Sequence, residues 1–158
     1  MPTYAQPEAE FSLGLAIDLA RGISREDRAF REGREGYVFQ STGDSILLRG
    51  SEMGILGYGN IGRALLPLLE PFRPAVVRCD DPWLPDADIR EAGMTPASLE
   101  DVLSTSTFLF VLAPVTEEST HLLDAENMRL IPRGARVVLS SRAAVVDFEA
   151  MVRYVDEG

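Results

Sequence analysis

The sequence predicts an α/β protein, a doubly wound parallel sheet of about four strands preceded by a helical N-terminal arm. Three observations carry this. From residue 46 onward, strand-like runs alternate with helix-like segments. Most of the strand-like runs are nearly continuous stretches of β-branched or aromatic residues, as strands buried on both faces should be. The first of them ends in a glycine-rich turn that opens a helix.

The arm is read as residues 1–45, and the sheet-forming part as 46–158. Residues 7–21 predict a helix, with Pro7 suited to its first turn. Phe11, Leu15 and Leu19 recur every four residues, while Leu13, Ala16, Ile17 and Ala20 fill other faces. A helix apolar on most sides is buried or contacts another chain. Gly22 suits the position just past its end. Ser24 with Asp27 resembles a capping box opening a short second helix. The pairs Asp27/Arg31, Arg28/Glu32 and Arg31/Glu35 give that helix a solvated face. Gly33, Gly36 and Gly43 mark a loop region after it.

Strands are expected near 53–57, 75–80, 107–112 and 135–140, and helices near 61–71, 98–103, 124–129 and 147–157. Ser98 with Asp101 forms a second capping box. Pro67 falls inside the helix after the glycine turn, where a kink or an early break is expected. The 135–140 strand would end the sheet, and an unpaired apolar edge favours association, so a homo-oligomer is expected.

Composition narrows the chemistry. All 15 basic residues are arginine. Without lysine, Schiff-base chemistry and a P-loop are excluded. One cysteine, Cys79, excludes an internal disulfide framework, and one histidine, His121, excludes multi-histidine metal sites, so no metal is expected. The formal net charge of −10, with no arginine cluster, disfavours nucleic acid and anionic membrane surfaces. No apolar run reaches transmembrane length and the N-terminus is acidic, so a cytoplasmic setting is expected.

Gly57-Tyr58-Gly59-Asn60-Ile61-Gly62 fits the spacing G-x-G-x-x-G. Alone that spacing is weak, since 13 glycines produce chance matches. Here a strand precedes it, a helix follows it, and Asp80 lies 18 residues beyond Gly62 at the end of the next strand. That context makes it a Rossmann-type dinucleotide fingerprint. Gly57 permits the tight turn, Gly59 lets a pyrophosphate approach the backbone, and Gly62 lets the helix pack on the strand. The helix N-terminus offers N–H groups to the pyrophosphate. Asp80 would bind the adenosine ribose hydroxyls and repel a 2′-phosphate, so the cofactor expected is NAD, not NADP.

With these residues in place, the chain resembles the NAD-dependent D-2-hydroxyacid dehydrogenases, the group that includes phosphoglycerate and formate dehydrogenases. Residues 51–66 resemble their nucleotide loop, and 98–103 the helix before the third strand. Leu112-Ala113-Pro114-Val115-Thr116 and Thr120-His121-Leu122-Leu123-Asp124 resemble the loop over the adenine side. Pro132-Arg133-Gly134-Ala135 and Ser140-Ser141-Arg142 resemble the strand and turn presenting the family's catalytic arginine. Ala9-Glu10 opens a helix similar to the one linking the family's two domains.

The resemblance implies roles. Asn60 and Ile61 would offer backbone N–H groups to the pyrophosphate. Ala113 and Pro114 would line the adenine pocket, with Ser119 nearby. Ser140 and Ser141 would lie against the nicotinamide end. Arg142 would bind the carboxylate and carbonyl of a 2-keto acid, a task suited to a fixed guanidinium fork. His121 matches a non-catalytic position, Cys79 reads as a buried strand residue, and Trp83 as either a flank of the adenosine pocket or an exposed turn residue.

There are departures. Leu139 and Ala143 stand where the family usually has Asn and Gly. The family's general-acid histidine, its glutamate partner and the later strands would lie beyond Gly158, and half of the substrate domain would lie before Met1. Two readings follow: an oxidoreductase passing hydride between NAD(H) and a 2-hydroxy or 2-keto acid, represented by a truncated chain, or a module that binds NAD or a partner without catalysis. A decayed remnant without function is a third.

Overall fold

The computed structural model describes residues 2–34 and 45–157. Gly36, Gly43 and the Arg31/Glu35 pair lie outside the described residues.

Five parallel strands form one sheet: β1 (Glu52–Leu56), β2 (Val76–Asp80), β3 (Thr95–Pro96), β4 (Phe108–Val111) and β5 (Arg136–Leu139), in the order β3-β2-β1-β4-β5. The chain runs outward from β1 to one edge, then returns to β1's other side. The crevice between β1 and β4 is therefore the topological switch point, where open α/β sheets bind ligands. Four strands match the sequence expectation. The fifth, β3, is two residues long and pairs Arg78 with Thr95 and Cys79 with Pro96. Proline is tolerated there because β3 is an edge strand.

The helices are α1 (Ala5–Arg21), α2 (Ile23–Arg31), α3 (Asn60–Leu69), α4 (Asp86–Glu91), α5 (Leu99–Thr105), α6 (Ala125–Met128) and α7 (Phe148–Glu157). The sheet divides the core. Met53, Ile55, Phe108 and Phe110 pack with α1 and α3 on one face. Leu56, Leu109 and Val111 pack with Val102, Leu103, Met128 and Ala150 on the other. Alternate residues of one strand thus serve opposite layers, as the two-residue period of a strand requires. Pro67 lies inside α3, which persists only to Leu69 before tightening into a 3₁₀ turn at Glu70–Phe72. The helix thus runs through Pro67, and Pro71 in the 3₁₀ turn lacks the N–H that would continue the α-helical ladder.

α1 presents small residues inward. Ala5, Ala9, Ser12, Ala16 and Ala20 are buried, so the helix lies close on α3 and β5. Its large apolar residues point elsewhere: Phe11 is 57% and Leu19 42% exposed. The expected capping box at Ser24 and Asp27 is not formed. α2 begins at Ile23, and both the N–H and the hydroxyl of Ser24 bond the Asp18 carboxylate at 2.6 Å. Asp18, one turn back in space, outcompetes Asp27 and is held below its ordinary pKa by these bonds, the Ser24 hydroxyl foremost. The Asp27–Arg31 pair does form, at 2.8 Å. Ser98 caps α5 by accepting the Asp101 N–H at 3.1 Å, as expected.

Candidate functional site

The site grows from the C-terminal ends of β1, β2, β4 and β5. Gly57 leaves β1 with φ +90°. A Cβ on it would lie 2.8 Å from Ala113 Cα and 2.9 Å from Ala113 N, so the turn passes against the β4 exit with no room for a side chain. Gly57 N–H donates to Asp80 O at 2.9 Å, which joins the turn to the end of β2. At Gly59 nothing lies within 4 Å of the Cβ position, so one side of the turn is open to an approaching group. At Gly62 a Cβ would meet the Tyr58 ring at 3.0 Å and Gly57 O at 3.2 Å, which is why the helix sits so close to the turn.

α3 starts at Asn60, and no side chain caps it. The Arg63 N–H reaches Gly59 O at 3.0 Å. The amides of Asn60, Ile61 and Gly62 precede that bond and belong to the unsatisfied set of a helix start. They suit an anion. The Arg63 guanidinium lies 4.9 Å from the centre of the Tyr58 ring, beside the same turn.

Beside the turn lies a small open cleft of about 60 Å³. Leu56, Gly57, Pro82, Trp83, Ala113 and Leu122 make its walls largely apolar, and Asp80, Glu118 and Ser119 supply its polar groups. The Asp80 carboxyl has no hydrogen-bond partner among the described residues. Its pKa is raised, first by burial and then by the neighbouring Asp81 charge. A half-buried, unpartnered carboxylate in a cleft is available to a ligand. Trp83 borders the cleft and is 52% exposed. Cys79 is fully buried, and burial pushes its thiol up to about 12.

The loop after β4 is held internally. Ser119 is buried, donates to Pro114 O at 2.5 Å and accepts the Thr116 N–H at 2.8 Å. Ala113 is buried and Pro114 exposed. At the end of β5, the hydroxyls of Ser140 and Ser12 share a hydrogen bond of 2.7 Å. The Ser141 hydroxyl donates to Ala113 O, tying the β5 exit to that of β4. Arg142 is exposed on the following turn. His121, at φ +56°, donates its backbone N–H to Ala144 O at 2.8 Å, so its backbone braces that turn.

The structure thus gathers Gly57, Gly59, Asn60, Ile61, Gly62, Asp80, Ala113 and Ser119 around the turn and its cleft. Ser140, Ser141 and Arg142 stand at the β5 exit. Sequence reasoning missed Asp81, which accepts the Tyr58 and Trp83 amides. The Asp-Pro-Trp run was the available signal, since an aspartate commonly accepts the N–H two residues on.

Residues 13–158 match the model of the D-isomer specific 2-hydroxyacid dehydrogenase NAD-binding domain. The chain belongs to this dehydrogenase family. Among curated relatives, a D-lactate dehydrogenase of Treponema pallidum is 34% identical over 100% of this chain and 46% of its own length. A glyoxylate reductase of Korarchaeum cryptofilum is 31% identical over 95% of this chain and 45% of its own length. The crystal structure of a phosphoglycerate oxidoreductase from Rhizobium etli superposes with a TM-score of 0.89 at 45% identity, covering 97% of this chain and 48% of that one. The chain spans about half the length of the curated relatives it matches. It is a dehydrogenase NAD-binding domain, and its unpartnered Asp80, open Gly59 and uncapped α3 fit a dinucleotide.

Proposed function

We propose that this domain holds NAD for hydride exchange with a 2-hydroxy or 2-keto acid. The observation that carries the reading is the Asp80 carboxyl, partnerless in the cleft beside the Gly57 turn. In this reading Gly57, Gly59, Asn60, Ile61 and Gly62 surround the pyrophosphate and Asp80 takes the ribose hydroxyls. Ala113, Pro114 and Ser119 border the adenine. Ser140 and Ser141 hold the β5 exit beside the nicotinamide end. Arg142 engages the acid's carboxylate and draws charge from its carbonyl. Bound NAD supplies the hydride-transfer chemistry, and the chain supplies binding and orientation.

Two further parts belong to the proposal. Residues 1–45 act as an arm beside the nucleotide domain of 46–158. A second copy covers the exposed Phe11 and Leu19 of α1 and Ile23 and Phe30 of α2, giving a homo-oligomer. A clean monomer by light scattering at high concentration sinks the oligomer. A cytoplasmic setting is supported by the single cysteine. Among the described residues, no helix is long and apolar enough to cross a membrane.

The test is titration with NADH, read by emission from Trp83, the sole tryptophan. Saturable binding that weakens about tenfold in Asp80→Ala supports the reading, the loss of one charge-assisted contact pair being of that order. No binding by the native chain sinks it. NADH turnover with a panel of 2-keto acids then separates an oxidoreductase from a module that binds the cofactor without catalysis.

A further inference from the structure

The inward face of α1 carries one hydroxyl. Ala5, Ala9, Ala16 and Ala20 are buried there, and so is Ser12. Alanine at those four positions shows that close packing of α1 needs no more than a methyl group. The Ser12 hydroxyl is therefore extra to the packing, and serine also forms helix less readily than alanine. Its Oγ lies 2.7 Å from Glu8 O, one turn back, and 2.7 Å from Ser140 Oγ, 128 positions ahead at the end of β5. These two contacts fix the protons. A carbonyl oxygen has no hydrogen to give, so the proton between Ser12 and Glu8 belongs to Ser12. A hydroxyl carries only one, so the proton between the two serines comes from Ser140. Ser12 is thus the acceptor of a bond between the arm helix and the sheet.

We propose that Ser12 is a positioning residue for the nicotinamide end of the site: by accepting the Ser140 proton it holds the β5 exit against the arm helix. The proposal rests on the NAD reading of the site. β5 is an edge strand, paired only with β4 and only as far as Leu139. Past Leu139, the β4 side is held by the Ser140 N–H, which meets Val111 O at 3.1 Å, and by the Ser141 hydroxyl, which donates to Ala113 O. Among the described residues no strand lies on the other side of β5, and the Ser12 contact reaches it from α1. A hydrogen bond in such an enclosed place is stronger than the same bond in water. It sets the β5 exit before the ligand arrives, so less ordering is left to be done on binding. The Ser141 bond to the cleft wall does not pass through Ser12, so the adenine side is held independently.

The test compares two ligands by calorimetric titration: NADH, and ADP-ribose, which lacks the nicotinamide. Ser12→Ala removes the acceptor and one oxygen's volume, and thermal melts show whether it is folded. Its NADH affinity should fall about fivefold, as the loss of one enclosed hydrogen bond predicts. Its ADP-ribose affinity should stay within about twofold of native, because the adenine side is untouched. Ser12→Ala combined with Ser140→Ala should bind NADH no more weakly than the weaker single variant, since both remove the same bond. A folded Ser12→Ala with native NADH affinity overturns the proposal and leaves the NAD reading standing. Equal losses for the two ligands also overturn it, because Ser12 then supports the domain as a whole. Additive losses in the double variant overturn it as well. If Ser12→Ala does not fold, Ser140→Ala approaches the same bond from its half-buried end. The same split between ligands is expected there, and equal or absent losses overturn the proposal. A native chain that binds neither ligand overturns the NAD reading and the proposal together.

Discussion

The two ends of the site are built in different ways. At the glycine turn, geometry is set by exclusion. Gly57 lies so close to Ala113 that no side chain fits, and its N–H is bonded to Asp80 O. At the Arg142 turn, geometry is set by a short backbone ladder. His121 N–H meets Ala144 O at 2.8 Å, Leu123 N–H meets Val145 O at 3.0 Å, and Asp147 N–H meets Leu123 O at 3.0 Å. That ladder aligns the main chain but takes no part of the arginine side chain, which is exposed with no acceptor among the described residues. The cofactor end is thus dictated by contacts within the domain. The Arg142 end presents an exposed cation on a turn shaped by backbone alone.

Gly57→Ala should break the first end most severely. It forces a β-carbon to φ +90° and drives it into backbone that cannot rotate away. Left-handed strain and overpacking together predict a loss of about 3 kcal/mol. Urea unfolding measures it, and NADH binding should vanish with it. A loss under about 1 kcal/mol would show that the Ala113 strand end yields, so sterics do not define this turn.

Gly54→Ala separates packing from binding. Gly54 lies in β1, and a Cβ there would fall 2.1 Å from Ser106 Oγ and 2.8 Å from Val102 Cγ1. Both neighbours are buried side chains, which shift more readily than backbone, so the cost should be about 2 kcal/mol. Once the variant is folded, its NADH affinity should stay within about twofold of native, because the position faces the α5 side and not the turn. A larger change in affinity would mean that the β1–α5 packing sets the cleft.

Asp80→Asn tests the cofactor end through its charge. Burial, then Asp81, raises the Asp80 pKa above its ordinary 3.8. The folded state therefore holds this proton more tightly than the unfolded state does. Stability falls as pH rises from about 3.8 through the raised folded value, and the ionised carboxylate costs stability at neutral pH. The asparagine variant should melt slightly higher than native at pH 7, on the order of 1–2 °C because solvent screens a half-exposed group. The difference should disappear below the ordinary carboxylate pKa. NADH binding should weaken in the same variant. Stability gained where binding is lost marks a residue retained for its ligand. A lower melting point at pH 7 would instead make Asp80 structural.

What the sequence revealed was what neighbouring residues decide together. The β4 run, the glycine turn and the Ser98 cap are each written within a few residues. What it hid depends on distant partners. β3 is two residues whose only claim to be a strand is pairing with Arg78 and Cys79. α4 reads Asp-Ala-Asp-Ile-Arg-Glu with only Ile89 buried, so it shows no apolar period. Gly54 looks like an ordinary strand residue until Ser106 and Val102 are brought against it. Ser24 bonds Asp18 of the preceding helix, a partner that the Ser24/Asp27 spacing does not reveal. Asp81 gains its meaning from Tyr58, 23 positions earlier.

Arg142→Ala carries the smallest expected effect on the domain, and its smallness is what tests the comparison. The guanidinium is exposed and contacts no acceptor among the described residues, so its removal should change stability by less than about 0.5 kcal/mol. The backbone ladder that shapes the turn survives, because every bond in it is main chain to main chain. NADH affinity should also remain within about twofold of native, since the cleft lies at the other end of the site. The loss should surface only where a 2-keto acid is offered. In a chain competent for turnover, kcat/KM should fall at least about a hundredfold, the order expected for removing a charged group that stabilises the transition state. A silent domain and a crippled reaction would together show that the two ends are energetically separate. Destabilisation by more than about 1 kcal/mol would show that the side chain holds its own turn, and the contrast between an enclosed cofactor end and an open acid end would fail.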